Sequence, residues 1–180
     1  MKKEFNIIAY TENHIGLLNR ITIVFTRRKV NIESLTVSES AIKGVSKFTI
    51  VVETTEEQVQ KIVQQIEKQV DVLKAFYHPN DELVYQEIAL YKVATNDILE
   101  SDKIENLIRK YNARILEITK EFTVIEKTGH KEETQEFFEE LNQFRVLQFI
   151  RSGRIAITRL TIERLSEFLK ERDKMLSTTN

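Results

Sequence analysis

Apolar residues recur along this chain in two rhythms, and each change of rhythm marks an element. Phe5 to Tyr10 is a short, largely apolar run that suits a strand, and Leu17, Leu18, Ile21, Val24 and Phe25 then recur at helical spacing. Ile32 to Ser40 and Val45 to Glu53 read as strands joined by a hairpin turn at Lys43-Gly44. Thr54 and Glu57 form a capping-box pattern ahead of Val59, Ile62, Val63 and Ile66, which predict a second helix. Val70 to Tyr77 closes the unit as a strand, giving the order βαββαβ of a ferredoxin-like split unit.

The second half repeats this order less cleanly. Leu83 to Ala94 is strand-like, and Ile104, Leu107 and Ile108 share one helix face. Ile115 to Thr119 and Phe122 to Glu126 predict two strands, and Phe137, Phe138, Leu141 and Phe144 line a further helix. Val146 to Thr158 predicts a last strand interrupted at Gly153 by a bulge or bend. Ile162, Leu165, Phe168 and Leu169 predict a terminal helix, and Ser177 to Asn180 a frayed tail. The fold class expected is α+β, two tandem ferredoxin-like βαββαβ units. The single proline lies in the polar stretch His78-Pro79-Asn80-Asp81-Glu82, which sets the expected division: 1–78 as the first domain, 79–83 as linker, and 84–180 as the second domain with its terminal helix.

Composition narrows the functions this scaffold can serve. With 41% hydrophobic and 31% charged residues the chain reads as a soluble globular protein, and its formal net charge of −1 gives no global pull toward nucleic acid or an anionic membrane. Zero cysteines exclude a disulfide framework, a thiolate nucleophile and any cysteine-ligated metal. Met1-Lys2-Lys3-Glu4-Phe5 leads straight into the first strand without an apolar leader, so a cytoplasmic location is expected.

The first strand-to-helix connection, Thr11-Glu12-Asn13-His14-Ile15-Gly16-Leu17, carries the most usable chemistry. A helix N-terminus offers unpaired N–H groups and the positive end of a dipole to a carboxylate. Gly16 permits close approach and positive φ, and the amides of Asn13 and Asn31 can serve both ends of a zwitterion. Ile15, Leu17, Ile32 and Leu35 supply apolar surface for a branched side chain. The same residues are also ordinary turn chemistry, with Asn13 capping the helix and Asn31 turning the chain into a strand. Arg20, Arg27, Arg28 and Lys29 give the first helix a basic side, which reads as a solvated face. His14, His78 and His130 have no second ligand at metal spacing. Glu56-Glu57, Glu132-Glu133 and Glu139-Glu140 fall in helical patterns, where adjacent side chains diverge by about 100°. No phosphate-cradling glycine loop, dinucleotide fingerprint or nucleophile elbow is present in the sequence.

Longer motifs add a resemblance. Glu12-Asn13-x-x-Gly16-x-Leu18-x-Arg20, Phe25-x-Arg27-Arg28 and Asn31-Ile32-Glu33-Ser34-Leu35-Thr36-Val37 occur in order, followed by Gln65 to Leu73, Glu87 to Val93, and Arg151-Ser152-Gly153. This string closely resembles the small, regulatory subunits of acetolactate synthase, whose N-terminal ACT domain senses valine. The resemblance implies a chain with no catalytic residues and no metal of its own. It implies an effector site at Asn13, His14, Ile15, Gly16, Leu17, Asn31 and Ile32, lying between two ACT domains of a homodimer with Asn31 contributed across it. It further implies activation of a large catalytic subunit that carries thiamine diphosphate, Mg and FAD, with feedback inhibition by valine. Nucleic acid and membrane are not implied partners. One departure stands out: the family usually has glycine and an aromatic residue before Asn31, where this chain has Lys29-Val30. A positive φ there would strain lysine. The alternatives are a stand-alone amino-acid sensor acting on another enzyme or on transcription, and a small enzyme on the same scaffold. The sequence carries neither a helix-turn-helix pattern for the former nor a catalytic constellation for the latter.

Overall fold

The elements of the computed structural model, which describes residues 1–96, 102–161 and 165–170, run in two matching series. The first is β1 (Lys3–Glu12), α1 (Leu17–Arg28), β2 (Ser34–Glu39), β3 (Val45–Thr54), α2 (Glu56–Glu67) and β4 (Val72–His78). After a 3-10 turn at Asn80–Glu82 come β5 (Leu83–Ala94), α3 (Asp102–Lys110), β6 (Arg114–Ile118), β7 (Phe122–Gly129), α4 (Lys131–Leu141), β8 (Val146–Arg151) and β9 (Ile155–Thr158). The sheets are ordered β2-β3-β1-β4 and β6-β7-β5-β8, with β9 pairing β5 off the second path. Each is the same topology, so the α+β class and the doubled βαββαβ unit are as expected. Even the irregularities repeat: the register slips between Tyr10 and Thr11 where β1 meets β4, and between Lys92 and Val93 where β5 meets β8.

Two faces of β1 are buried, which explains its nearly unbroken apolar run. Phe5, Ile7 and Ala9 face α1 and α2, packing with Leu17, Ile21, Phe25, Ile50, Ile62 and Ile66. Ile8 and Tyr10 point to the opposite face and are also buried. In the second series Ala89, Tyr91 and Val93 of β5 build a core with Ile104, Ile125, Phe137 and Leu141. There the Tyr91 hydroxyl donates to the Thr134 carbonyl at 2.6 Å, and burial pushes its phenol well above the ordinary range.

Several expectations shift by a residue or two. The cap of α2 is Thr55, whose hydroxyl accepts from the Gln58 N–H, while Thr54 instead donates to the Gln58 side chain. β4 begins at Val72, because Asp71 turns the chain at φ 72°. β7 runs on to Gly129, and Gly153 lies in the break that separates β8 from β9, where the last strand was expected to be interrupted.

The division of the chain differs from the expected 1–78, 79–83 and 84–180. Among the described residues, one compact unit comprises 1–84 together with those from Ala156 onward, and the other comprises those within 85–155. Residues 79–83 are no slack linker: the Asn6 amide donates to Asn80 at 2.7 Å, and Asn80 donates to Glu4 at 2.8 Å. From Ala156 the chain returns to the first unit, where Lys47 Nζ donates to the Ala156 carbonyl at 2.6 Å and Leu165 is fully buried. Residues 165–170 are helical. The expected contribution of Ile162 to that helix and the tail at Ser177 to Asn180 lie outside the described residues.

Candidate functional site

The turn after β1 is held from below and open above. Glu12 N–H donates to the Asp71 carbonyl at 2.9 Å and Asn13 N–H to the Gly44 carbonyl at 3.1 Å, which fixes the strand end against the hairpin tip and the start of β4. Gly16 is the N-cap of α1 at φ 85°, a left-handed conformation that a side chain would strain. It has no side chain to cap the helix and the first turn carries no acidic residue; the Leu17 N–H turns back onto the His14 carbonyl at 3.5 Å, and the positive end of the helix dipole faces the turn. Asn13 and His14 are exposed, as is Ile15, while Leu17 is a buried core residue that anchors the turn from beneath rather than offering open apolar surface.

Charge is concentrated beside this turn. Arg20 Nη2 meets Asp71 Oδ2 at 2.9 Å, and this guanidinium, with His14 adding to it, holds the Asp71 carboxyl below its usual range. His14 Nδ1 lies 3.4 Å from Asp71 Oδ1, and its Nε2 lies 3.8 Å from Glu12 Oε2. Glu12, His14 and Asp71 thus bring three donor atoms within 4.8 Å of one another, a convergence that sequence spacing does not reveal because Asp71 arrives from a distant turn. A cation there would compete with Arg20 for Asp71. Arg20 and Arg28 are not a free basic patch, since Arg28 Nε donates to Gln65 Oε1 at 2.7 Å.

Asn31 does not meet Asn13 within one chain. The strand register pairs Glu12 with Val45 at one end of the sheet, whereas Glu33 N–H reaches the Val51 carbonyl toward the other. The exposed Asn31 amide donates to Glu33 Oε1 at 2.8 Å, and Ile32 is half-buried against the core. Just upstream, Lys29 adopts φ 55° and ψ 39°, with its N–H on the Thr26 carbonyl and the Val30 N–H on Phe25, the bonding of a Schellman cap. Lysine therefore occupies the left-handed position anticipated for the missing glycine.

In the second unit the Arg151-Ser152-Gly153 run has a structural basis. Ser152 brackets Ile88, its N–H donating to the Ile88 carbonyl at 2.8 Å and its hydroxyl accepting from the Ile88 N–H at 2.9 Å. The buried Glu87 carboxylate lies 3.9 Å from Arg151 Nε and 3.4 Å from Arg154 Nε. Arg154 also stacks 3.9 Å above Tyr85, and the Tyr85 ring stacks in turn on the His130 ring, 4.4 Å away.

Two family models match this chain. One, for the AHAS small subunit-like ACT domain, covers residues 7–74, and the other, for the small subunit of acetolactate synthase, covers residues 86–160. The acetolactate synthase small subunit of Bacillus subtilis is 34% identical over 155 residues, 86% of this chain and 90% of the relative. That of Mycobacterium leprae is 30% identical over 148 residues, 82% and 87% of the two chains. The solved small subunit from Thermotoga maritima superposes with a TM-score of 0.80 at 28% identity, covering 89% of this chain and 99% of that one. With both halves matched and relatives at this identity covered nearly end to end, the chain is a member of the acetolactate synthase small-subunit family.

Proposed function

We propose that this protein activates an acetolactate synthase catalytic subunit and makes it sensitive to valine. The observation that carries the reading is the match to small subunits through both units, and the turn at Asn13 to Leu17 supplies the place for an effector. The valine carboxylate meets the open N-terminus of α1 at Gly16, and the Asn13 amide accepts from its ammonium. Asn31 comes from a second copy, since one chain holds the two asparagines at opposite ends of its sheet. β2 is an edge strand, so pairing of two copies through it extends the sheet and brings each Asn31 toward the other chain's turn. Thiamine diphosphate, Mg and FAD belong to the catalytic partner in this reading, and the chain itself performs no bond-making step.

Valine then stabilises the paired state that supports the catalytic subunit less well, with a coupling of about 1 to 3 kcal/mol. Asn31→Ala should abolish inhibition by valine while leaving activation of the catalytic subunit intact. Loss of both together in steady-state assays would instead assign Asn31 to folding or pairing.

A further inference from the structure

The small-subunit family model ends at residue 160, yet this chain continues and residues 165–170 form a helix that packs on the first unit. Its position follows from its contacts. Lys47 and Lys74 both pair with Tyr10 across the sheet, which puts them on the face opposite α1 and α2. Phe168 lies 5.9 Å from Lys74 Nζ, which is also tied to Glu67 at 2.6 Å, and the Ala156 carbonyl accepts from Lys47. Ala156 and Phe168 therefore both lie at the back of the ACT sheet. In the same helix Leu165 is fully buried. Next to Phe168, Leu169 forms one wall of a pocket with Asn13, His14, Ile42, Val45 and Leu73.

We infer that Leu169 is a positioning residue for the effector turn, supplied by a segment outside the family match. The inference rests on the proposed valine site. Asn13 and His14 leave the sheet on backbone hydrogen bonds and the polar contacts of His14 with Glu12 and Asp71, all on exposed or partly exposed groups, and Ile15 beyond them is exposed, so apolar packing on this turn comes from few side chains. An apolar side chain that closes one side of the space behind the turn, opposite the hairpin tip and Leu73, restricts the turn in the absence of ligand. Less ordering then remains to be done when valine binds. Linkage makes the effect mutual: valine must hold residues 165–170 more firmly on the sheet to the same degree that they favour valine.

Valine affinity is measured by calorimetry on the full-length chain and on Leu169→Ala and Leu169→Met, with circular dichroism to confirm folding. Amide exchange across 165–170 is followed in the wild type with and without valine. The expected result is a five- to tenfold weaker affinity in Leu169→Ala, roughly the scale of one lost apolar contact, with recovery in Leu169→Met and slower exchange at 165–170 when valine is present. A purely structural role would leave exchange insensitive to valine. Wild-type affinity in Leu169→Ala, or valine-independent exchange, overturns the linkage while the functional reading survives. A wild-type chain that binds no valine overturns that reading, and the linkage with it.

Discussion

Lys29 shows how a single backbone angle can carry a testable energy. Its φ of 55° completes the Schellman cap of α1, a position that glycine occupies without steric strain. Lys29→Gly should therefore stabilise the first unit by about 1 kcal/mol in urea unfolding. An unchanged midpoint would mean that the strain is relieved elsewhere. Asp71, also at positive φ, carries a different signal. Arg20 lowers its pKa, so its contribution to stability is present above the unfolded value of about 4 and is lost as pH falls through the depressed folded value. Asp71→Asn should accordingly flatten the acid limb of the stability profile below about pH 4. A variant with the same slope as the wild type would show that Arg20 does not discriminate the ionised form.

Most of the element order was legible because helices here keep their apolar residues three and four apart and strands keep theirs contiguous or alternating. Boundaries were less so, since capping at Thr55 rather than Thr54 depends on backbone geometry that both threonines advertise equally. β6 is exposed along its whole length although Ile115, Leu116 and Ile118 are apolar, so its sequence signals a strand without revealing that neither face is buried in one chain. The Asn-x-x-Gly turn could be read with its glycine at positive φ, but neither the Asp71 ion pair nor the return of the chain after Gly153 to the first unit could, because both depend on contacts far apart in sequence. The Glu87 cluster is of the same kind, and it yields a prediction at the level of the element. Glu87→Gln removes a buried carboxylate beside Arg151 and Arg154 and should destabilise the second unit by about 3 kcal/mol. Equal stability of this variant in thermal unfolding would mean that the stacking of Arg154 on Tyr85 suffices to hold β8 and β9.

At the scale of the molecule, each unit repeats one topology, while the features assigned to sensing, the open turn, the edge strand and the added C-terminal segment, all fall in the first. Pairing through β2 would cover Val37, which is exposed on that strand. Val37→Lys should therefore shift the sedimentation profile toward monomer and weaken valine binding with it. Retained dimer would move the interface elsewhere. The central claim is regulation of a partner, and it is tested most directly by titrating this chain into its cognate catalytic subunit while following acetolactate formation, with and without valine. The account predicts a saturable rise in rate that valine reverses in the wild type and fails to reverse in Asn31→Ala; a rate unchanged at saturating chain, or activation indifferent to valine, would contradict it.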